Sequence, residues 1–386
     1  MTKEGANRIP RSAPLNELST IQDRGTTLFE YGAGQLRRLQ SALGIDAKEQ
    51  IRLLKVYEDL TRSWGPRRIS ETPRWSALTD DCSPFEFSVA ISKTGPELRM
   101  IVEAQSELAS PRGYWEASME LSRHLEKVWV ADLEGLKKIE SLFEPNHDVW
   151  FVAAHGTVMW PTARPSFKIY LNPAARGSGL APNLVEEAMS CIGLLPSWVS
   201  LKHHLQDGGI LHCVSLDLTS GVEACVKVYI RFPAPTLDRL SQVLEAVDPD
   251  LARHINAFAA AVFGRSLNQL PRPALVAYNL RPGSCEPGRL ICQLASFPFA
   301  GTDLEISDRV ARFMDHSGLD AQPYRKAVRS MSEGLDHCDK GIHNYVSLQR
   351  DEAALRVTIY LCPRVYLERY GAIGYDPRVA WPSPVN

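Results

Sequence analysis

Polar and apolar side chains alternate in the stretch Phe167-Lys168-Ile169-Tyr170-Leu171-Asn172, and the same pattern returns in Cys225-Val226-Lys227-Val228-Tyr229-Ile230-Arg231. Because neighbouring residues of a β-strand point to opposite faces, each stretch predicts a strand with one apolar face. The other face of both strands carries a lysine, followed two residues later by a tyrosine. This recurrence indicates that one structural unit is used more than once.

Alternating runs of this kind form five pairs along the chain. Turn-forming residues join the two runs of a pair, which is the usual signature of a β-hairpin. The predicted hairpins cover residues 84–104, 149–172, 210–232, 274–295 and 343–362. Before each hairpin the apolar residues recur with helical spacing. The predicted helices cover residues 23–43, 47–64, 114–129, 133–143, 180–192, 197–206, 237–247, 250–263, 303–316 and 321–335.

The order of elements is therefore helix, helix, strand, strand, repeated five times. No low-complexity linker interrupts the chain, so we predict a single domain over residues 1–386, with residues 1–22 as a flexible N-terminal arm. Ten antiparallel strands leave no exposed edge only when they close into a barrel. The predicted fold class is thus α+β, with five ααββ repeats that form a closed ten-stranded antiparallel barrel ringed by α-helices.

The composition excludes several classes of protein. The chain has 386 residues and a mass of 43.0 kDa, and its 44% hydrophobic and 23% charged residues are typical of a soluble globular protein. A formal net charge of −2 argues against binding to nucleic acid or to a membrane surface. The chain lacks both an apolar run of the ~18 residues that a membrane span needs and the pattern of a secretion signal. We expect a cytoplasmic monomer or homodimer whose eight cysteines are reduced thiols.

The alternation also predicts which face of each strand contacts water. Helices pack on apolar surfaces, so the apolar faces should point outward and the polar faces should line the lumen. A ten-stranded barrel is wider than the eight-stranded barrel that side chains just fill, so the lumen would be a chamber for a polar ligand. The alternative, an ordinary sandwich with these polar residues on a solvated face, stays open.

The predicted lining combines cations with aromatic rings. The cations are Arg99, Lys168, Lys227, Arg289 and Arg356, with Arg231 as a further candidate, and the rings are Tyr170, Tyr229, Tyr345 and Tyr360. A cluster of cations suits an anion with several charges, such as a diphosphate. Each tyrosine face stabilises a cation by roughly 0.5–2 kcal/mol. With one inward acid, Glu86, this is the lining expected for a prenyl transfer.

Three sets of residues resemble the dimethylallyltryptophan synthase family of aromatic prenyltransferases. They are the segment Ser83-Pro84-Phe85-Glu86-Phe87-Ser88, the two Lys-x-Tyr pairs, and the terminal Tyr345 and Tyr360. Their order and spacing match that family over nearly the whole chain from about residue 25, and the ααββ repeats match the family's "ABBA" barrel. Each motif is weak when taken alone.

The resemblance implies transfer of a prenyl group, commonly from dimethylallyl diphosphate, to an electron-rich arene, usually an indole such as tryptophan, in secondary metabolism. Glu86 matches the glutamate that accepts the indole N–H, and the four tyrosines match the shield around the allylic cation. Arg99, Lys168 and Lys227 match diphosphate-binding residues, and Gln293 lies where a family glutamine touches the diphosphate. The chain has no DDxxD motif, so we expect no metal and no other cofactor.

Three departures from the family pattern affect the site. His155 stands where many members have a lysine and is predicted as the general base, with a structural hydrogen-bonded histidine as the alternative. Cys225 replaces an arginine of the diphosphate site, for which Arg231, Arg289 and Arg356 are candidate replacements. His212 lies on a strand where tryptophan-using members often carry a carboxylate-binding arginine; either His212 takes its place or the acceptor is not free tryptophan.

Two other functions stay open at this point. In the first, the enzyme prenylates a non-indole arene, such as a quinolone, a phenol or tyrosine. In the second, the barrel binds a phosphorylated or aromatic ligand without catalysis. In each case the partners are small molecules. Prenyl chain length and ring position are left undetermined.

Overall fold

The computed structural model describes residues 25–70, 73–206, 208–220, 224–332, 340–351 and 354–366. The arm predicted for residues 1–22 lies outside this part of the chain. The strands are β1 Phe85–Ser92, β2 Gly95–Val102, β3 Ala153–Trp160, β4 Ser166–Leu171, β5 Ile210–Asp217, β6 Val226–Phe232, β7 Ala274–Leu280, β8 Leu290–Ala295, β9 His343–Asp351 and β10 Ala354–Leu361. The α-helices are α1 Leu28–Ala42, α2 Ala47–Thr61, α3 Pro111–Trp129, α4 Glu134–Phe143, α5 Ala181–Cys191, α6 Leu195–Leu201, α7 His203–Gln206, α8 Leu237–Glu245, α9 Pro249–Ala252, α10 Ile255–Phe263, α11 Asp303–His316 and α12 Gln322–Met331.

The ten strands form one closed barrel in which every strand pairs antiparallel with its neighbours in the sequence and β1 closes onto β10. This confirms the predicted fold class. The two strands of each hairpin meet at one end of the barrel, which we call the hairpin end. At the other end, the helix end, the strands connect to the helices.

The outward faces of the strands carry the apolar residues, as the alternation predicts. Phe85 and Phe87 of β1 lie fully buried against the ring of Tyr57 on α2, at centroid distances of 6.0 and 6.2 Å. Ile169 of β4 and Val228 of β6 are also fully buried in the layer between barrel and helices. The main hydrophobic core is therefore a shell around the barrel, and the lumen is lined by polar residues together with a smaller apolar cluster.

Helix boundaries follow from local capping. Thr27 and Glu30 form a capping box at the start of α1, and Thr302 and Glu305 form another at the start of α11. Two of the predicted helices are each divided in two: residues 250–263 form α9 and α10, and residues 197–206 form α6 and α7. Within the described residues, no helix is both long and apolar enough to cross a membrane.

Strand β3 differs from its prediction. The sequence predicts a strand over residues 149–155, but the strand spans Ala153–Trp160. The apolar run before it is a loop whose carbonyls are held by side chains: Trp75 Nε1 donates to the Trp150 oxygen at 2.9 Å, and Asn172 Nδ2 donates to the Phe151 oxygen at 2.5 Å. Apolarity here reflects burial at the end of the barrel and not sheet pairing.

Three β-bulges interrupt the barrel, each with one extra residue on one strand. In β5, Leu211 pairs with Ile230 and Cys213 with Tyr229, which leaves His212 as the extra residue. In β9 the extra residue is Asn344, and in β3 it is Met159. Because a bulge redirects a side chain out of strict alternation, these positions are the ones that alternation cannot place.

Candidate active site

A cavity inside the barrel brings most of the predicted site residues together. Its lining includes Glu86, Arg99, Lys168, Tyr170, His212, Lys227, Tyr229, Gln293, Tyr345 and Tyr360. Four candidates do not contribute to it, namely His155, Arg231, Arg289 and Arg356. The polar faces therefore enclose a chamber, and the alternative of a solvated sandwich face is excluded by the closed barrel.

The cations of the chamber come from different repeats. Lys168 is the third residue of β4 and Lys227 the second of β6, so both lie near the hairpin end. Lys168 Nζ lies 3.2 Å from Asp217 Oδ1, and Lys227 Nζ contacts Cys225 Sγ at 3.5 Å. Arg99 donates from Nε and Nη2 to Glu97 Oε2 at 3.0 and 2.7 Å. Three cations thus converge where an anion can bind them.

Burial and mutual repulsion set the charge of this cluster. Burial, together with the neighbouring Lys227, lowers the pKa of Lys168 to about 8, although Asp217 acts in the opposite direction. Burial alone would raise the pKa of Asp217, but the two lysines outweigh it and hold that pKa below its usual range. The Asp217 carboxylate therefore balances part of the positive charge, and an anion with several charges could balance more of it.

The tyrosines form two pairs on separate walls of the chamber. Tyr170 and Tyr229 lie 5.9 Å apart between ring centroids, and Tyr345 and Tyr360 lie 6.4 Å apart. Burial raises the pKa of Tyr170, Tyr229 and Tyr360, so these phenols stay neutral. Gln293 donates from Nε2 to the Tyr360 hydroxyl at 3.1 Å. Neutral aromatic faces on two walls can surround a carbocation without reacting with it as phenolates.

Glu86 is the second residue of β1 and lies near the helix end, so it is separated along the barrel from the two lysines. Its side chain is buried and accepts a hydrogen bond from Asn344 Nδ2 at 2.6 Å. Burial raises the pKa of Glu86 to about 8, and the Asn344 hydrogen bond opposes that rise. A carboxylate in this setting is a strong hydrogen-bond acceptor for an N–H group.

His155 does not face the chamber. It pairs with Val102 and Ile169, whose side chains are in the outer core, and its Nε2 lies 2.8 Å from Ser122 Oγ of α3. Burial lowers the pKa of His155 to about 3, so the ring is neutral and fixed between barrel and helix. This position contradicts the general-base prediction and supports the alternative of a structural histidine.

The three candidate replacements for the missing arginine have different positions. Arg289 is 44% exposed and pairs with Asp351 on the outer rim of the hairpin end, which contradicts its assignment to the diphosphate site. Arg356 does face inward, but it is held by Glu97 beside Arg99. Arg231 shares a face with Leu275, which lines the chamber, and lies at the helix end. Arg231 is therefore too far along the barrel to replace the diphosphate contact.

His212 reaches the chamber because it is the extra residue of the β5 bulge. Its ring stacks on Trp150 with centroids 4.9 Å apart. Burial lowers the pKa of His212 to about 3, and Arg231 adds to the effect. A neutral imidazole donates or accepts a hydrogen bond but does not supply the positive charge of an arginine.

The family model for tryptophan dimethylallyltransferase matches residues 31–327, which is most of the chain. The chain belongs to this family. The protein is accordingly an aromatic prenyltransferase.

Solved structures of other prenyltransferases have the same fold. The 6-dimethylallyltryptophan synthase from Micromonospora olivasterospora, in complex with DMASPP and Trp, is 26% identical, with a TM-score of 0.82 over 89% of this chain and 99% of that chain. The 5-dimethylallyl tryptophan synthase from Streptomyces coelicolor is 24% identical, with a TM-score of 0.80 over 93% and 99%. The ternary complex of PriB is 23% identical, with a TM-score of 0.77 over 88% and 97%.

The prenyltransferase chamber also contains residues that the sequence did not identify. Ala77, Leu78, Trp150 and Phe151 come from loops that close the helix end, and the run that contains Trp150 and Phe151 is predicted as a strand. Gly156 faces the chamber, where an added Cβ would lie 2.9 Å from Tyr170 Cε2 and 3.1 Å from Lys168 Cγ. Among the described residues, no group of three or more histidines, cysteines or acids is placed to hold a metal ion.

Proposed function

We propose that this prenyltransferase transfers a dimethylallyl group from dimethylallyl diphosphate to the indole ring of tryptophan or a close relative, without a metal ion. The observation that carries the proposal is the arrangement within one chamber: a cation cluster toward the hairpin end, Glu86 toward the helix end, and tyrosine pairs on its walls. The neighbour solved with DMASPP and Trp supports the same pair of substrates.

The reaction begins at the cation cluster. The C–O bond of the donor breaks and its electron pair leaves with the diphosphate. Arg99, Lys168 and Lys227 stabilise that developing charge because they are already fixed near one another. Fixed cations do the work that a metal ion does elsewhere, which is why we propose metal independence. The two tyrosine pairs then shield the allylic cation from water.

The acceptor reacts from the helix end. Glu86 accepts a hydrogen bond from the indole N–H, which raises electron density on the ring. A ring carbon then forms a C–C bond with the allylic cation, and the resulting arenium ion loses its proton. With His155 outside the chamber, the candidate proton acceptors are Glu86, neutral His212 and the released diphosphate.

Arg231 favours an acceptor with a carboxylate. It lies at the helix end beside His212 and shares a strand face with Leu275 of the chamber lining, at the margin of the lining itself. We assign it to the carboxylate of tryptophan, a role for which His212 lacks the charge. We further propose that the enzyme acts in the cytoplasm, in secondary metabolism, as its family resemblance implies.

The test is a mass-spectrometric assay in EDTA that pairs dimethylallyl, geranyl and farnesyl diphosphates with tryptophan, other indoles, quinolones, phenols and tyrosine. We expect a product heavier by one dimethylallyl group with tryptophan and no requirement for Mg²⁺. Glu86→Gln should lower turnover roughly 10²- to 10⁴-fold while donor binding persists. A product with only a non-indole arene would replace the acceptor assignment, and failure to bind any prenyl diphosphate would refute the proposal.

A further inference from the structure

Asn344 is a buried residue at the helix end that the proposed reaction leaves without a role. Its side-chain amide donates from Nδ2 to two acceptors: Glu86 Oε1 at 2.6 Å and the Leu78 carbonyl oxygen at 3.2 Å. Only 2% of the residue is exposed. One amide group therefore connects the acid of the chamber to the loop that roofs it, since Leu78 itself lines the chamber.

We infer that Asn344 is a positioning residue for Glu86: it holds Oε1, directs Oε2 to the acceptor N–H, and favours the ionised form of the carboxyl group. The inference rests on the proposed function, because it assigns Asn344 a role in the same step. A hydrogen bond to a carboxylate favours its charged form and restricts its rotation.

The β9 bulge explains how Asn344 reaches Glu86. Tyr360 pairs with Tyr345 and Leu361 with His343, so Asn344 is the extra residue between two regular pairs. Glu86 lies on β1, which is separated from β9 by β10. The bulge turns the amide toward the carboxylate past β10, while Tyr345 keeps its place in the chamber lining.

The strand is fixed at this point by buried polar contacts. Asp303, at the start of α11, accepts from the Ile342 and His343 backbone N–H groups at 3.0 Å and from His343 Nδ1 at 2.7 Å. The Ser296 N–H donates to the Asn344 carbonyl at 3.0 Å. The backbone that carries the amide is thus tied to a helix and to β8, and a side chain on such a support holds its partner in one orientation.

The ionisable groups around Glu86 determine how its pKa should respond to loss of the Asn344 amide. Asp80 and Asp81, in the loop before β1, raise the pKa of Glu86 in addition to the effect of burial, and Asn344 lowers it. Tyr360 of β10 and Cys362, which follows that strand, are close enough to interact with the carboxylate. Apart from the Asn344 amide, these neighbours are neutral or negative, so loss of the amide should move the Glu86 pKa upward.

The experiment combines Asn344→Leu with a pH profile. Ionised Glu86 is the active form, so at saturating donor, kcat/KM for the acceptor should rise in the unaltered enzyme as pH increases through about 8. In Asn344→Leu we expect that limb to move up by about one pH unit, with kcat at the optimum reduced roughly 10- to 100-fold. In a Glu86→Gln background the same substitution should change kcat less than about twofold, since the carboxylate it orients is gone.

Asn172→Leu is a matched control. Asn172 is also a buried asparagine near the helix end, and it donates to the Phe151 carbonyl, with no hydrogen bond to Glu86. It should lower the thermal midpoint without moving the acid limb. Asn344→Ser, a smaller polar substitution, is the second variant in case the leucine prevents folding. Infrared titration of the Glu86 carboxyl, identified by its loss in Glu86→Gln, measures the pKa shift without any acceptor.

Two outcomes would overturn the inference. An unchanged acid limb and carboxyl titration in the Asn344 variants, or an equal loss of kcat with and without Glu86, would reduce Asn344 to a structural residue. If instead Glu86→Gln retains full turnover, the role of Glu86 in the proposed function fails, and the inference falls with it. An infrared shift seen together with that retained turnover would show that the amide tunes a carboxylate that the reaction does not use.

Discussion

The charge of Lys168 depends directly on its surroundings in the chamber. Burial and Lys227 lower its pKa to about 8. The Lys168 side chain is therefore mostly protonated at neutral pH and loses its positive charge as pH rises. A bound diphosphate should raise the pKa again, because an adjacent anion favours the ammonium form. Donor binding is therefore linked to proton uptake at this one side chain.

We predict that inorganic diphosphate binds more weakly as pH rises through about 8, and that binding near pH 8 takes up a proton. Calorimetry in buffers of different ionisation enthalpy measures both effects. Lys168→Met should bind roughly 10- to 100-fold more weakly and show no proton uptake. Lys202→Met, which removes an exposed lysine paired with Glu186, is the control. Proton uptake that persists in Lys168→Met would assign the linkage to another group.

Substitution of His155 tests whether this residue has a structural role or a catalytic one. Its Nε2 bonds Ser122, whose hydroxyl in turn donates to the Ser118 carbonyl at 3.1 Å. His155→Leu should lower the free energy of unfolding by about 1–3 kcal/mol through the lost buried hydrogen bond. Turnover should change only a few-fold, with the same pH profile. A loss of 10²-fold or more in kcat, in protein that remains folded, would restore the general-base role.

The pairing of β3 with β4 places a glycine, Gly156, against two side chains of the site. Gly156 lies opposite Lys168 in the register, and the lysine and Tyr170 side chains lie against its Cα. This position requires glycine because of close packing, and not because of its backbone conformation: its φ is not in the left-handed region.

Gly156→Ala should therefore leave the fold intact but displace Lys168 and Tyr170 together. We expect kcat/KM to fall roughly tenfold or more and diphosphate affinity to weaken, since small misplacements of binding groups reduce rate strongly. Gly179→Ala is the matched control, because no atom lies within 4 Å of its added Cβ. Kinetics and calorimetry on both variants decide the point, and equal effects at the two sites would contradict it.

Alternation alone predicts most of the barrel and of its lining. It places Lys168, Lys227 and Tyr360 correctly because each lies on a regular strand. It fails for Asn344, since a bulge breaks the period, and for Trp150, which lies in a loop. The prediction for His155 rests on the family resemblance, and alternation does not correct it, because the apolar run before β3 has no mark that separates a buried loop from a strand. The information that alternation does not contain is thus three-dimensional: the register of strands at bulges and the packing of loops.

At the scale of the whole molecule, closure of the barrel forms the anion site from residues that are far apart in the sequence. Arg99, Lys168 and Lys227 come from β2, β4 and β6, and the barrel exists only when β1 pairs with β10. The cations repel one another, and carboxylates of the same walls hold them in place. A ligand that neutralises these cations should therefore stabilise the entire barrel and not a local segment.

We predict that inorganic diphosphate raises the thermal midpoint in the presence of EDTA, with a stabilisation of roughly 2.7 kcal/mol at a hundredfold excess over Kd. Differential scanning calorimetry measures it across diphosphate concentrations, with sulfate at equal ionic strength as the control for screening. The combined Lys168→Met and Lys227→Met variant should lose the response, because it lacks two of the three converging cations. If the midpoint rises only when Mg²⁺ is added, the fixed cations are insufficient by themselves and the metal-independent mechanism is wrong.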